Sequence, residues 1–167
     1  MKELNEKIEQ WAVDRELDKK GTVEGQAIKT AEELAELIKG ISKGDINLIK
    51  DSVGDVYITL VIGNMLYKRF DLSRIYIENE DFLSKIEESS LSYNKSRQIR
   101  LLAFKIREII ENEYVVENLR NTQYLLLRIA KMYNLDFKDC VEAAYKEIAN
   151  RKGKTVNGTF VKEEDLQ

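Results

Sequence analysis

The complete absence of proline constrains this chain more than any other feature of its sequence. The 167 residues include no proline and only eight glycines. Proline breaks helices because its ring removes a hydrogen-bond donor and clashes with the preceding turn. Long helices are therefore interrupted at few places, chiefly near Gly21, Gly40 and Gly44. We expect an all-α fold, built as an antiparallel helical bundle.

Apolar residues recur at helical spacing along most of the chain. They predict helices at residues 3–19, 24–42, 45–69, 79–88, 92–112, 116–133 and 137–150. The short loop between the helices at 92–112 and 116–133 predicts an antiparallel pair. Turns or caps are expected at 71–73 and 89–92.

The segment after Asn150 has a different character. Short apolar stretches flank Asn157 and Gly158, a dipeptide that suits a two-residue type I′ turn. We therefore expect one domain over residues 1–150, followed by a short basic hairpin or arm over 151–167.

Composition excludes several classes of function. The chain has no histidine, which removes Ser-His and Cys-His nucleophilic schemes and most zinc sites. The single Cys140 lies among apolar neighbours and is expected to be an inert core residue. A net charge of -3 gives no reason to expect nucleic-acid binding. The N-terminus lacks an apolar signal region and no apolar stretch is long enough to span a bilayer, so we expect no membrane association and a cytoplasmic location.

The second predicted helix carries two acids away from its apolar face. Gln26, Lys29, Glu33 and Glu36 fall on one stripe, and the two glutamates are three residues apart. Taken alone, such a pair is more often a solvated surface than a metal site.

The third predicted helix strengthens the case that these acids form a metal site. Asp51 and Asp55 continue one of its two apolar stripes, and a carboxylate at the edge of a buried layer needs a cation or a hydrogen-bond donor. A short turn should place this helix against the second, so that Glu33 and Glu36 face both aspartates. Four carboxylates without histidine favour Mg²⁺, with Mn²⁺ as a second choice. Salt bridges to nearby lysines explain the same acids about equally well.

Apolar residues on two sides of the third helix also bear on assembly. A thin bundle offers too little surface to cover both sides. We expect a homodimer or a homotetramer.

Six segments of the chain resemble the MazG-like nucleotide pyrophosphohydrolases, in particular the short proteins of bacteriophages and bacteria. They are residues 11–15 (WAVDR), 21–26 (GTVEGQ), 29–37 (KTAEELAEL), 51–56 (DSVGDV), 144–154 (AYKEIANRKGK) and 156–162 (VNGTFVK). The resemblance covers roughly residues 8–68 and 124–164. The helical stretch at 75–120 has no counterpart, which makes it a candidate insertion.

This resemblance implies Mg²⁺-dependent hydrolysis of a nucleoside triphosphate, with a deoxynucleoside triphosphate favoured, to the monophosphate and pyrophosphate. The metal ligands implied are Glu33, Glu36, Asp51 and Asp55, and Glu33 or Glu36 would also act on the attacking water. The family pattern is ExxE followed by ExxD, and Ser52 stands where the third acid belongs. Because Asp51 aligns with Asp55 on the helix, we expect Asp51 to replace that acid.

The substrate-binding residues expected on the same basis are Gln26, Lys29, Arg151, Lys152 and Lys154. The three C-terminal cations would form a flexible arm over the triphosphate, although a tail or a nucleic-acid contact is an alternative. Trp11 and Tyr145, with Gln26, are candidates for contacts to the base. Two rival functions stay open: a non-catalytic helical interaction module whose acids only form salt bridges, and an all-α dUTP pyrophosphatase.

Overall fold

The computed structural model describes residues 1–67, 70–86, 94–112 and 114–166, and over these residues it confirms the all-α fold. The described helices are α1 (Lys2–Val13), α2 (Leu17–Lys20), α3 (Val23–Lys43), α4 (Ile46–Tyr67), α5 (Leu72–Ser84), α6 (Lys95–Asn112), α7 (Val116–Met132) and α8 (Phe137–Ala149). They are followed by strands β1 (Gly153–Val156) and β2 (Thr159–Lys162). The turn predicted at 89–92 lies outside the described residues.

Two helix boundaries differ from the prediction for local reasons. The helix predicted at 3–19 is divided, because Glu16 adopts a left-handed conformation with φ of 59° between α1 and α2. Helix α5 begins at Leu72, well before the predicted residue 79. Asp71 caps it by accepting hydrogen bonds from the backbone N–H groups of Ser73 and Arg74.

Helix α4 lies at the centre of the fold, packed against α1, α3, α7 and α8. Gly54 permits close approach to α8, since a Cβ there would lie 2.4 Å from the Cys140 carbonyl oxygen. Cys140 itself is buried, as predicted. The two-sided burial expected for α4 is confirmed, but this chain provides the cover. The pattern on α4 therefore gives no reason to require a partner subunit.

The stretch at 75–120 contributes to the same core. Leu102, Ile109 and Tyr114 are fully buried in one hydrophobic cluster with residues of α3 and α4. The Tyr114 hydroxyl lies 2.7 Å from Thr30 Oγ1. Helix α6 contacts α7, the partner predicted for it, but it lies mainly along α3, while α7 lies mainly along α5. Loop length alone does not determine which helix offers the larger apolar face.

The C-terminal hairpin forms as predicted. β1 and β2 pair antiparallel, and Asn157 and Gly158 have φ of 50° and 86°, as a type I′ turn requires. It is docked, however, and is not a flexible arm. The Phe160 ring packs edge-on against Trp11 at 5.1 Å, and the backbone N–H of Thr22 donates to the Gly158 carbonyl at 3.0 Å.

Truncation of Phe160 to alanine is expected to lower the free energy of unfolding by about 2 kcal/mol, because it removes the partly buried ring that joins the hairpin to Trp11. Urea denaturation measures the change. The control is Val156→Ala on the same hairpin, where the side chain is 39% exposed and the effect should be below about 0.5 kcal/mol. Equal, small effects of both variants would show that the hairpin is detached in solution.

Candidate carboxylate cleft

A cleft of about 850 Å³ opens between α3, α4, the C-terminal turn of α8 and the hairpin. Charged side chains from all these elements border it. The acids are Glu32, Glu33, Glu36, Asp55, Glu147 and Asp165, and the bases are Lys29, Arg151 and Lys162. The excess of acids favours a cation in this cleft, and such a cation would help a polyanion to enter.

Asp55 is the most perturbed acid of the cleft. Its pKa is raised to about 7, first by burial and then by the negative charges of Glu33 and Glu147, while Arg151 acts in the opposite direction. No hydrogen bond from the described residues reaches its carboxylate. A partly buried carboxylate among other acids is stabilised by a proton or by a metal cation.

Glu33 is the second acid held away from solvent. Its side chain is 14% exposed, and its carboxylate lies 3.2 Å from the ammonium group of Lys29. Lys29 also lies 2.8 Å from the exposed Glu32. Burial alone would lower the pKa of Lys29, but the hydrogen bonds and charges of both glutamates raise it overall. Lys29 thus neutralises Glu33 in the absence of another cation.

The predicted metal ligands divide into two groups. Glu33, Glu36 and Asp55 border the cleft, whereas Asp51 does not border it and is exposed. Partial burial and the charge of Glu147 raise the pKa of Asp51. Ser52, at the third position of the family pattern, is buried with no hydrogen-bond partner for its hydroxyl. Within the described residues no three acidic or cysteine side chains are close enough to hold a metal ion, so the predicted four-carboxylate cluster is not assembled.

Glu147 is a cleft acid that the sequence interpretation missed. It lies on α8, one turn before Arg151, and forms a 2.5 Å ion pair with it. The sequence offered no signal for it, because its position depends on the packing of Ala144 against Gly54, two residues about ninety positions apart.

The predicted substrate-binding cations are also only partly brought together. Lys29 and Arg151 border the cleft, but Lys152 and Lys154 are exposed and do not. Lys162, which the sequence did not single out, is the third cation that borders the cleft. Its position follows from strand alternation, because it shares a face of β2 with the docked Phe160. The prediction that residues 151–167 form a flexible arm gave no reason to expect Lys162 at the cleft.

A smaller pocket adjoins the cleft and is largely apolar. It is lined by Trp11, Leu17, Gln26, Ile58, Thr59, Ile62 and Ile148, and it shares Lys29, Glu33, Asp55, Arg151 and Phe160 with the cleft. Gln26 is buried, and its amide Nε2 donates to the Thr59 carbonyl at 3.3 Å. The Trp11 indole N–H donates to the Ile148 carbonyl at 2.8 Å, which fixes the ring beside the pocket. Tyr145 borders a different surface, between α1 and α8.

Fold and site together define an all-α protein with a carboxylate-lined cleft that leads to an apolar pocket. A stretch of 62 residues is 44% identical to an uncharacterized 18.2 kDa protein encoded in the rep-hol intergenic region of Haemophilus phage HP1. That stretch spans 37% of this chain and 38% of the phage protein. No family model matches the chain, and no solved structure matches it. The resemblance to MazG-like enzymes therefore stays a hypothesis.

None of the described helices combines the length and the apolar character needed to cross a membrane.

Proposed function

We propose that this protein hydrolyses a nucleoside triphosphate, with deoxynucleoside triphosphates favoured, to its monophosphate and pyrophosphate in a Mg²⁺-dependent reaction of the MazG-like type. One observation supports this most strongly. Asp55, a mostly buried carboxylate with a pKa of about 7, lies with Glu33 where an acidic cleft joins an apolar pocket. Perturbed acids in a cleft are typical of functional sites.

The donor set suits a hard divalent cation. Every side chain that would hold it offers carboxylate oxygen, which Mg²⁺ and Mn²⁺ prefer and which zinc and copper sites seldom use alone. Glu33, Glu36, Asp55 and Glu147 are the cleft acids that would hold it, but their side chains would have to move closer together than in this structure and Lys29 would have to release Glu33. When bound, the metal supplies charge neutralisation for the phosphates and polarises their oxygens.

The remaining residues have roles that follow from their positions. Glu36, exposed at the cleft, or Glu33 orients the water that is consumed as the bond between the α- and β-phosphates breaks. Arg151 and Lys29 provide charged hydrogen bonds to phosphate oxygens. The apolar pocket beside Trp11 and Gln26 has a volume of about 80 Å³ in this structure, and the base would enter it once the pocket widens.

The direct test measures Mg²⁺ dependence and the first product together. Mg²⁺ should raise the melting temperature, because a ligand that binds only the folded state stabilises it. Each of the eight common NTPs and dNTPs is then supplied with Mg²⁺, and pyrophosphate release is recorded. Orthophosphate as the first product, or hydrolysis that persists in excess EDTA, contradicts the proposal. Activity restricted to dUTP would identify the all-α dUTP pyrophosphatase alternative.

The competing candidate is a non-catalytic helical module, and two ion pairs favour it. Lys29 neutralises Glu33, and Arg151 neutralises Glu147, so a large part of the acidic cleft is balanced without a metal. These two ion pairs do not account for the raised pKa of Asp55. If Mg²⁺ leaves the melting temperature unchanged and no triphosphate is cleaved, this alternative is preferred.

We further propose a homodimer or homotetramer in the cytoplasm, where nucleoside triphosphates are available. The support comes from apolar side chains that α3 and α6 leave exposed, namely Ile28 at 56% and Phe104 at 51%. Light scattering is the measurement, and the mass of a single 19.4 kDa chain would contradict self-association.

A further inference from the structure

Lys162 differs from the other two cations of the cleft in its charge balance. Lys29 forms an ion pair with Glu33, and Arg151 forms one with Glu147. Lys162 forms no ion pair with any acid in the described part of the chain, although it borders the same cleft. Its charge is therefore available to an anionic ligand without the loss of an existing pair.

The hairpin fixes the side on which Lys162 lies. The register pairs Lys154 with Val161 and Gly153 with Lys162. Side chains alternate along a strand, so Lys162 shares a face with Phe160, which is docked against the helices, and Lys154 lies on the opposite face. Two strand positions separate Phe160 from Lys162 by roughly 6.6 Å along β2.

The cleft and the apolar pocket form a continuous path with a defined order. Glu33 and Asp55 border both spaces, whereas Lys162 borders the wide cleft and not the apolar pocket. A nucleotide whose base occupies the apolar pocket therefore has its α-phosphate near the two shared acids. Its β- and γ-phosphates then extend into the wide cleft, where Lys162 lies. This order rests on the proposed function.

We propose that Lys162 binds the pyrophosphate end of the substrate and the pyrophosphate product, and so selects triphosphates over monophosphates. The ammonium group neutralises charge on the leaving group as the bond between the α- and β-phosphates breaks. Neither Lys152 nor Lys154 borders the cleft, although Lys152 lines an adjoining surface pocket together with Lys162.

Isothermal titration calorimetry on the full chain tests the proposal without requiring turnover. Inorganic pyrophosphate and each deoxynucleoside monophosphate are titrated, in Mg²⁺, into the wild type and three variants. Lys162→Gln should weaken pyrophosphate binding about tenfold or more and change monophosphate binding by less than about twofold. Lys154→Gln, which removes the same charge from the other face of the hairpin, should change both by less than about twofold. Lys162→Arg keeps the charge and should retain pyrophosphate affinity to within about threefold.

Several outcomes overturn the proposal. They are no pyrophosphate binding by the wild type, equal losses in Lys162→Gln and Lys154→Gln, and equal losses of pyrophosphate and monophosphate affinity. Failure of the proposed function is a different result, namely a wild type that cleaves no triphosphate. In that case a selective loss of pyrophosphate binding in Lys162→Gln still supports a polyphosphate site at the hairpin.

Discussion

Replacement of Asp55 by asparagine should reduce kcat/KM for triphosphate hydrolysis by roughly a thousandfold, equivalent to about 4 kcal/mol, and should make the protein more stable. Both effects have one cause. A partly buried carboxylate among other acids is unfavourable when ionised, and under the proposed function the metal that would offset this cost is also the one that activity requires. Stability and activity should therefore change in opposite directions, as they commonly do at functional sites.

The expected gain in stability depends on pH. Asp55 has a pKa of about 7 in the folded protein, above its ordinary value of 3.8, because of burial and of Glu33, Glu147 and Asp51, with Arg151 opposing them. The folded state therefore holds a proton that the unfolded chain releases between about pH 4 and pH 7. Stability contributed by this group is lost as pH rises through that window and is constant above it.

The measurement is urea unfolding of the wild type and Asp55→Asn without metal. The variant should be more stable by about 2 kcal/mol at pH 8, and the difference should fall to roughly a quarter of that at pH 4.5 and nearly vanish below about pH 3.5, where Asp55 is protonated in the folded and the unfolded chain alike. Asp51→Asn, one turn earlier on the same helix, is the control and should show little change. A variant that is less stable than the wild type at pH 8 would show that Asp55 has a structural partner in solution.

Much of the fold was predictable because the pattern of apolar residues is local information. The absence of proline and the glycines near Gly21 and Gly44 predicted the helices around the cleft, and Asn157 with Gly158 predicted the hairpin turn. The division of the first helix at Glu16 was not predictable in this way. Its left-handed φ of 59° allows Arg15 to reach the carbonyl oxygens of Ala149 and Arg151, which are distant in sequence.

The site was predictable only within the pair of adjacent helices. Glu33, Glu36 and Asp55 border one cleft because the short turn between α3 and α4 holds these two helices antiparallel and adjacent. Contributions from α8 and the hairpin depend on packing between segments about a hundred residues apart. Glu147 lies at the cleft because Gly54 lets α8 pack closely against α4, and Lys162 lies there because Phe160 packs against Trp11. The spacing of residues within one segment cannot predict either contact.

Glu147→Gln should reduce kcat/KM by roughly a hundredfold, whereas Asp51→Asn should change it by less than about threefold. This expectation reverses the prediction from sequence, in which Asp51 was the substitute for the missing acid at Ser52. Asp51 is exposed and does not border the cleft, while Glu147 borders it and raises the pKa of Asp55. The Ser52 hydroxyl is buried, so the third position of the family pattern does not supply a ligand to the cleft in this structure.

Folding should not obscure the comparison, because the Glu147–Arg151 pair is a surface ion pair with Glu147 63% exposed, and such pairs contribute less than about 1 kcal/mol. Steady-state kinetics and the Mg²⁺ concentration that gives half of the stabilisation are measured for both variants and for the double variant. If Glu147 holds the metal, Glu147→Gln raises that concentration and Asp51→Asn leaves it unchanged. If instead Asp51→Asn abolishes activity while Glu147→Gln is active, Asp51 is the functional acid. In that case the double variant should lose no more activity than Asp51→Asn alone, because Glu147 then makes no contribution of its own.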